Sequence, residues 1–217
     1  MPSDSTDDQH EDKVLLVEGS EDKHTIGHIL DKHGYHDGCA ILDFQGYDRV
    51  LKELRLRIRA ENHSVIGVIV DADVDFNSRW SSIRNIFLLS GYAAVPELPS
   101  PDGTTVIREG KPTVGIWIMS DNASAGMLED FAMRLLPAGD KLWTRAVAAV
   151  DGIPIDERLF AEVHRSKANI KTWLSWQTDP GMPIGFAIKS GNLDHTAPLG
   201  IDLKDWLVSL FDLKLGE

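Results

Sequence analysis

Three apolar segments, each followed by a segment with helical spacing, dominate the first ninety residues. The apolar segments are residues 13–18, 39–44 and 65–70. The last of them has six apolar or glycine positions in a row, which is typical of a strand covered on both faces. Three strand-helix units in succession predict a parallel sheet with right-handed crossovers and helices on both faces.

The intervening helices have recognisable starts. Gly19 and Ser20 precede a helix that carries Glu21 and Asp22 in its first turn, where negative charge suits the helix dipole. Residues 45–60 carry apolar side chains at helical spacing after Gly46. A third helix is predicted after the third strand, with Asn77 as its N-cap. The apolar positions of these last two helices are Val50, Leu51, Leu54, Ile58, Trp80, Ile83, Ile86 and Phe87.

The pattern changes after residue 92. Residues 93–112 combine turn-forming segments with a short apolar run, which predicts a hairpin or ribbon inserted before the next strand, Thr113 to Met119. A helix from about residue 124 to residue 136 follows. The last third is predicted to be mainly helical. Its elements are helices at 156–177 and 203–213 and a short strand, IGFAI, at 184–188.

The simplest division of the chain has three parts. Residues 1–12 are acidic and polar and are expected to be disordered. Residues 13–136 form the α/β core, and residues 137–217 form a mainly helical extension packed on it. The chain has 217 residues, of which 42% are hydrophobic, and no apolar run long enough for a membrane span. Cys39 is its only cysteine, so we expect a soluble protein in the reducing cytoplasm.

Acidic residues follow two of the buried-type strands. Glu18 ends the first, and Asp71 and Asp73 follow the third. Parallel strands bring their carboxyl ends to one edge of a sheet, where ligand sites of open α/β folds usually lie. Carboxylates crowded there repel one another unless a divalent cation lies between them. The sequence therefore predicts a magnesium or manganese site, with Glu18 as a further ligand or as a proton carrier.

Other acidic residues have more ordinary explanations. A single acid after a strand is frequently a helix N-cap or a solvated turn residue, and Asp75 is expected to belong to the turn or to cap the next helix. Asp22 lies one turn after Glu18 and is an open candidate for the site. Glu129 and Asp130 lie inside the amphipathic segment MLEDFAMRLL, where acids usually face solvent.

Charge distribution bears on the choice of partner. The formal net charge is −12, which disfavours strong independent binding to DNA or RNA. One basic stretch, RVLKELRLRIRAENH, offers Arg55, Arg57 and Arg59 as candidate nucleic-acid contacts. The alternative is a helix face that is simply solvated.

Several segments together resemble a known superfamily. VEGSED, the glycine after the second strand, and VIVDADVD are similar to the Toprim domain of topoisomerases, bacterial primases and overcoming-lysogenization-defect (OLD) nucleases. The later segments resemble a family of small stand-alone Toprim-like proteins known as DUF3226. They are GIWIMSDNASAGMLEDFAMRLL, KANIKTWLSWQTDPGMPIGFAIKSGNLD and DWLVSLF. The resemblance implies a parallel-sheet, Rossmann-like Toprim core flanked by helices.

The resemblance also implies roles for individual residues. Glu18 corresponds to the Toprim glutamate, and Asp71 and Asp73 correspond to the metal-binding pair. In OLD-type nucleases a further acid one turn after the glutamate joins the metal site, a position that Asp22 holds, and Glu129 is the nearest candidate for their second cluster. A downstream lysine assists some of them, for which the candidates here are Lys167 or Lys171. No topoisomerase tyrosine and no primase zinc motif can be assigned.

Two functions follow as expectations. The first is Mg²⁺- or Mn²⁺-dependent cleavage or transfer of phosphodiesters on nucleic acid, with Glu18 and Lys167 in catalysis. OLD enzymes carry a fused ATPase that this chain lacks, so a separate ATPase subunit is the expected partner. The second is a metal- or nucleotide-binding regulatory module that keeps the same scaffold without turnover.

Overall fold

A computed structural model describes residues 12–216, which form a mostly parallel five-stranded sheet with helices on both faces. The strands are β1 Lys13–Val17, β2 Ala40–Asp43, β3 Val65–Asp71, β4 Thr104–Val106 and β5 Thr113–Met119. The helices are α1 Ser20–Lys32, α2 Tyr47–Ala60, α3 Phe76–Leu89, α4 Leu128–Arg134, α5 Lys141–Asp151, α6 Arg165–Leu174, α7 Ile184–Lys189 and α8 Pro198–Phe211, with a 3₁₀ turn at Glu162–His164. This confirms the predicted α/β class.

The strand order is β2-β1-β3-β5-β4, with the first four strands parallel and β4 antiparallel to β5. Helices α2 and α3 bury their apolar positions on one face, together with Leu16 and Val68 of the sheet. Helices α1, α4, α6, α7 and α8 contribute to the core on the other face, together with Leu15 and Trp117. Strands β1, β3 and β5 are therefore covered on both sides, which explains their unbroken apolar sequences.

Two paired glycines make room for the last helix. Gly67 of β3 and Gly115 of β5 are register partners in the sheet. A Cβ atom at Gly67 would lie 2.7 Å from the ring of Phe211, and one at Gly115 would lie 2.3 Å from the side chain of Leu210. Helix α8 thus packs its last turn directly against the sheet backbone.

Several predicted elements need correction. IGFAI is helix α7 and not a strand, and its Gly185 lies against the backbone of α1, where a Cβ atom would be 2.8 Å from the carbonyl carbon of His24. A short apolar run does not by itself distinguish a strand from a buried helix. The N-cap of α3 is Asp75, not Asn77, since its carboxylate accepts a hydrogen bond from Ser78 N at 2.9 Å.

Other predicted elements differ in extent. The helix expected from residue 124 starts at Leu128, because the preceding chain is held in a turn. In that turn the side-chain Oδ1 atom of Asn122 accepts a hydrogen bond from Ile118 N at 2.7 Å. Helical structure within 156–177 is confined to residues 162–174. The predicted ribbon at 93–112 contributes β4, which pairs with β5 and extends the main sheet. The predicted tail, except for Asp12, lies outside the described residues. No helix within residues 12–216 has the length and apolar character of a membrane span.

The glycine pair leads to a stability prediction. We expect Gly67→Ala and Gly115→Ala each to lower the free energy of unfolding by about 1–3 kcal/mol, because the added methyl group meets α8. Gly27→Ala in α1 is the matched control, since nothing lies within 4 Å of its Cβ position. That change should be neutral or stabilising. Urea denaturation of the three variants measures the difference, and equal effects at all three positions would contradict this account of α8 packing.

Candidate functional site

The predicted carboxylates lie at the carboxyl ends of β1 and β3. Glu18 directly follows β1, and Asp71 is the last residue of β3. One carboxylate oxygen of Glu18 accepts a hydrogen bond from Asp71 N at 2.8 Å, so the side chain spans the two strands. Its backbone carbonyl accepts from Gly46 N at 2.9 Å. Backbone contacts from both neighbouring strand ends therefore fix the position of Glu18.

Asp22 belongs to the same cluster through the first turn of α1. Its Oδ2 atom accepts a hydrogen bond from Gly19 N at 3.0 Å, so the carboxylate caps its own helix. The side chain is buried. Burial and the charges of Glu18 and Glu129 raise its pKa to about 7. The sequence suggested Asp22 only by its distance from Glu18, and the structure brings the two charges together.

Asp71 is the centre of this electrostatic arrangement. Its Oδ1 atom accepts a hydrogen bond from the backbone N–H of Leu128 at 3.0 Å, which joins the end of β3 to the start of α4. Burial raises its pKa to about 9, with further contributions from the charges of Asp22, Glu18 and Glu129 and a smaller one from Asp73. Several carboxylates thus lie together at a partly buried edge of the sheet, and full ionisation of all of them is unfavourable.

Asp73 lies at the periphery of the cluster. Its backbone has a positive φ of 51° and forms an isolated antiparallel bridge with Gly126. Its carboxylate forms an ion pair with Arg79 of α3. The guanidinium of Arg79 lies 3.8 Å from the centre of the Tyr47 ring. Asp73 therefore has a cationic partner, whereas Asp71 has backbone and acidic neighbours.

Helix α6 supplies positive charge from the opposite side. Glu129 of α4 is buried, and its carboxylate pairs with Lys167 Nζ at 2.9 Å. This pairing and the charges of Glu21 and Asp71 raise the pKa of Lys167. Lys171, one turn further along, pairs instead with Glu21 at 2.5 Å. Of the two lysines considered from the sequence, Lys167 is the one bound to an acid of the cluster.

The three candidate arginines lie elsewhere. Helix α2 begins near Glu18 and ends near the amino end of β1, where Ser64 N donates to the carbonyl of Asp12 at 2.9 Å. Arg55, Arg57 and Arg59 are therefore about 12–18 Å along the axis from the start of the helix. Arg57 also pairs with Glu53 at 2.6 Å. These residues do not join the carboxylate cluster, and a contact with nucleic acid there stays a prediction.

The donor set suits a hard divalent cation. Glu18, Asp22, Asp71 and Glu129 offer only oxygen, which Mg²⁺ and Mn²⁺ prefer. Within residues 12–216, no three acidic, histidine or cysteine side chains are arranged so that they would hold one ion together. Mg²⁺ needs only one or two protein carboxylates and keeps several waters. The residues therefore fit a partly hydrated ion near Asp71 and do not form a preformed cage.

Sequence reasoning missed Arg79, Tyr47 and Glu21. Arg79 lies one helical turn after Asp75, which precedes α3. This spacing is the only local signal in the sequence that the Arg79 side chain lies towards Asp73. Glu21 accepts a hydrogen bond from Ile184 N at 3.2 Å in addition to pairing with Lys171. Both partners of Glu21 lie more than 140 residues after it in sequence, so no local pattern indicates its role.

One family profile matches the chain over residues 12–212. Its description is "Protein of unknown function (DUF3226)". No curated protein and no solved structure matches the chain.

The crowded carboxylates lead to a prediction for stability against pH. A pKa raised from 3.8 to about 9 means that ionising Asp71 destabilises the folded state increasingly as pH rises from about 4 to about 9. Asn at this position keeps the oxygen that accepts from Leu128 N. In EDTA we expect Asp71→Asn to be more stable than the wild type by roughly 1–4 kcal/mol at pH 8, with little difference at pH 4.5.

Urea denaturation at the two pH values measures this difference. Asp37→Asn is the matched control, because it removes one exposed carboxylate outside the cluster. Added Mg²⁺ should stabilise the wild type more than Asp71→Asn. Destabilisation by Asp71→Asn at both pH values would contradict the electrostatic account.

Proposed function

The chain thus belongs to the DUF3226 family, and we propose that it is a Mg²⁺- or Mn²⁺-dependent enzyme that cleaves or transfers phosphodiesters on nucleic acid. The observation that carries the proposal is the convergence of Glu18, Asp22, Asp71 and Glu129, with Asp73 beside them, at one edge of the sheet. Such a cluster lowers the stability of the folded protein. A bound cation would offset the repulsion between these carboxylates, which is why a cluster of this kind indicates a functional site.

The resemblance to Toprim domains supports the same assignment. Glu18 corresponds to the glutamate of that superfamily, and Asp71 and Asp73 correspond to its Asp-x-Asp pair. Asp22 holds the position of the further acid of OLD-type nucleases, and Glu129 is the nearest candidate for their second cluster. These residues come from three strand-helix junctions, and their charges act on one another through low-dielectric surroundings. We therefore propose a Toprim-type acidic centre with Asp71 as its principal metal ligand.

The reaction needs a nucleophile and a means of stabilising charge. A bound divalent ion would activate water and neutralise charge that develops on the phosphate. Burial raises the pKa of Glu18, which brings this carboxyl closer to the range in which it exchanges a proton near neutral pH. Lys167 uses one of its three N–H donors on Glu129, so the others are available to a phosphate oxygen.

The net charge bears on how substrate is held. A chain with a formal charge of −12 has little independent attraction to DNA or RNA. We propose that a partner supplies most of the affinity for the phosphate backbone. By analogy with OLD enzymes, that partner would be a separate ATPase subunit, and the single cysteine fits a cytoplasmic location.

A second candidate function has its own support. Asp73 and Glu129 already have cationic partners, Arg79 and Lys167, and no three ligands are arranged for one ion within the described part of the chain. These contacts favour a regulatory module that binds a metal or a nucleotide without turnover. Cleavage activity distinguishes the two functions.

Metal binding and cleavage test the proposal together. We expect wild-type protein to bind Mg²⁺ or Mn²⁺ in calorimetry and to cleave DNA or RNA with that ion, with the proposed ATPase partner added where the chain alone is inactive. Asp71→Ala/Asp73→Ala should lose binding and lower cleavage by at least about 100-fold. Asp75→Asn is the control, because Asn is an equally good N-cap for α3.

The outcomes separate the hypotheses. Metal binding that is lost in the double variant, with no cleavage of any nucleic acid, would favour the regulatory module. Equal metal binding by wild type and the double variant would exclude the strand-end acids as the site.

The proposed role of Lys167 has a separate test. We expect Lys167→Gln to lower the cleavage rate by about 10-fold or more, because a charged donor to the phosphate is lost. Its affinity for Mg²⁺, measured by calorimetry, should stay equal or increase, since the carboxylate of Glu129 is freed. Lys141→Gln, an exposed lysine on α5, is the control. Loss of metal binding in Lys167→Gln would indicate that Lys167 maintains the structure of the centre.

A further inference from the structure

A cavity of about 410 Å³ lies beside the first turn of α1, the helix that also carries Asp22 of the carboxylate cluster. It lies between the first turns of α1 and the segment that leads from α6 into α7, and Ser20, Glu21, Lys171 and Phe186 are among its lining residues. Ser20 and Glu21 lie between Glu18 and Asp22 in sequence. Lys171 is one helical turn from Lys167. The cavity therefore lies beside α1 and α6, the helices that carry Asp22 and Lys167, and its volume is within the range of small-molecule sites.

One wall of the cavity offers an aromatic surface. Phe186 is 41% exposed, whereas Ile184, Ala187 and Ile188 of the same short helix are buried. Packing of α7 against the core therefore does not require the Phe186 ring to be covered. A half-exposed aromatic ring in a concave site is suited to stacking against a planar heterocycle.

The other walls offer polar and cationic groups. Lys171 Nζ bonds to Glu21 at 2.5 Å, and 39% of the lysine side chain is exposed. Its two remaining N–H donors are available to an anion. His24 and His28 of α1 also line the cavity, with ring centres 6.5 Å apart and planes inclined by 24°. The cavity thus combines an apolar ring, two imidazoles and an ammonium group that is paired with the carboxylate of Glu21.

From this combination we infer that the cavity is a subsite for one nucleotide, whose base stacks on Phe186 and whose phosphate lies towards Lys171. A phosphate alone would leave the aromatic wall unused, and an uncharged apolar ligand would leave the two remaining N–H donors of Lys171 unused. The inference rests on the proposed function and narrows its substrate. A base held in this cavity is not stacked in a duplex, so the substrate is a single-stranded segment or a strand end.

The test measures nucleotide binding without metal. In EDTA we expect wild-type protein to bind AMP at least about fivefold more tightly than ribose 5-phosphate, because the latter has no base to stack. Phe186→Ala should remove that preference, and Phe186→Leu, which keeps apolar packing of α7, should remove most of it. Leu88→Ala is the matched control, since Leu88 is 42% exposed on α3, which packs on the other face of the sheet. Ligand-observed NMR gives the dissociation constants, and circular dichroism confirms that each variant is folded.

Two further variants separate this inference from the metal centre. Lys171→Gln should weaken binding of both AMP and ribose 5-phosphate, whereas Asp71→Asn should leave AMP binding in EDTA intact or tighter. Absence of AMP binding, equal binding of the two ligands, or an unchanged preference in Phe186→Ala would each overturn the subsite. If Asp71→Asn loses metal-dependent cleavage but still binds AMP, the nucleotide subsite is supported and the loss is assigned to the metal centre.

Discussion

The position of β3 between β1 and β5 determines the rest of the site. Parallel pairing on both sides brings Asp71 beside the end of β1, where Glu18 accepts from its backbone N–H, and beside the turn after β5 that leads to α4. The Asp71 carboxylate then accepts from Leu128 N of α4. Both hydrogen bonds depend on the register of the sheet. A shift of one residue would move Asp71 out of reach of both partners and reverse the faces of the strand.

The same register creates an electrostatic problem that other parts of the chain relieve. Glu18, Asp22 and Asp71 are compensated mainly by backbone N–H donors, whereas Asp73 and Glu129 are compensated by Arg79 and Lys167. The two cations come from α3 and α6, on opposite sides of the sheet. Asp73 and Glu129 therefore each have a cationic partner, whereas Asp71 has backbone and acidic neighbours and its pKa is raised to about 9. Retained repulsion of this kind is common where function is favoured over stability.

The sequence predicts the features that depend on neighbouring residues in the chain, and it fails for features that depend on contacts between distant segments. The apolar runs of β1, β3 and β5 are long because both faces of those strands are covered, and they correctly predict that β1 ends next to Glu18 and β3 next to Asp71. The sequence predicts a strand where helix Ile184–Lys189 lies, because the surroundings of this segment include the close approach of Gly185 to α1, which is over 160 residues away in sequence at His24. Arg79 and Glu21 were missed for a similar reason. Their partners are defined by tertiary structure, and the charge pattern around them is that of ordinary surface helices.

Helix α1 connects the parts of the site. Its first turn carries two neighbouring acids that have different partners. Asp22 caps the helix inside the cluster, whereas Glu21 pairs with Lys171 of α6 and accepts a hydrogen bond from Ile184 N of α7. Ser166 and Lys167 of α6 in turn bond to Asp130 and Glu129 of α4, at 2.5 and 2.9 Å. The C-terminal helices are therefore attached to the acidic edge by polar contacts as well as by apolar packing. Since Lys167 and Lys171 lie on one face of α6, a small displacement of that helix changes the charge around Glu129 and the width of the cavity beside Glu21 together.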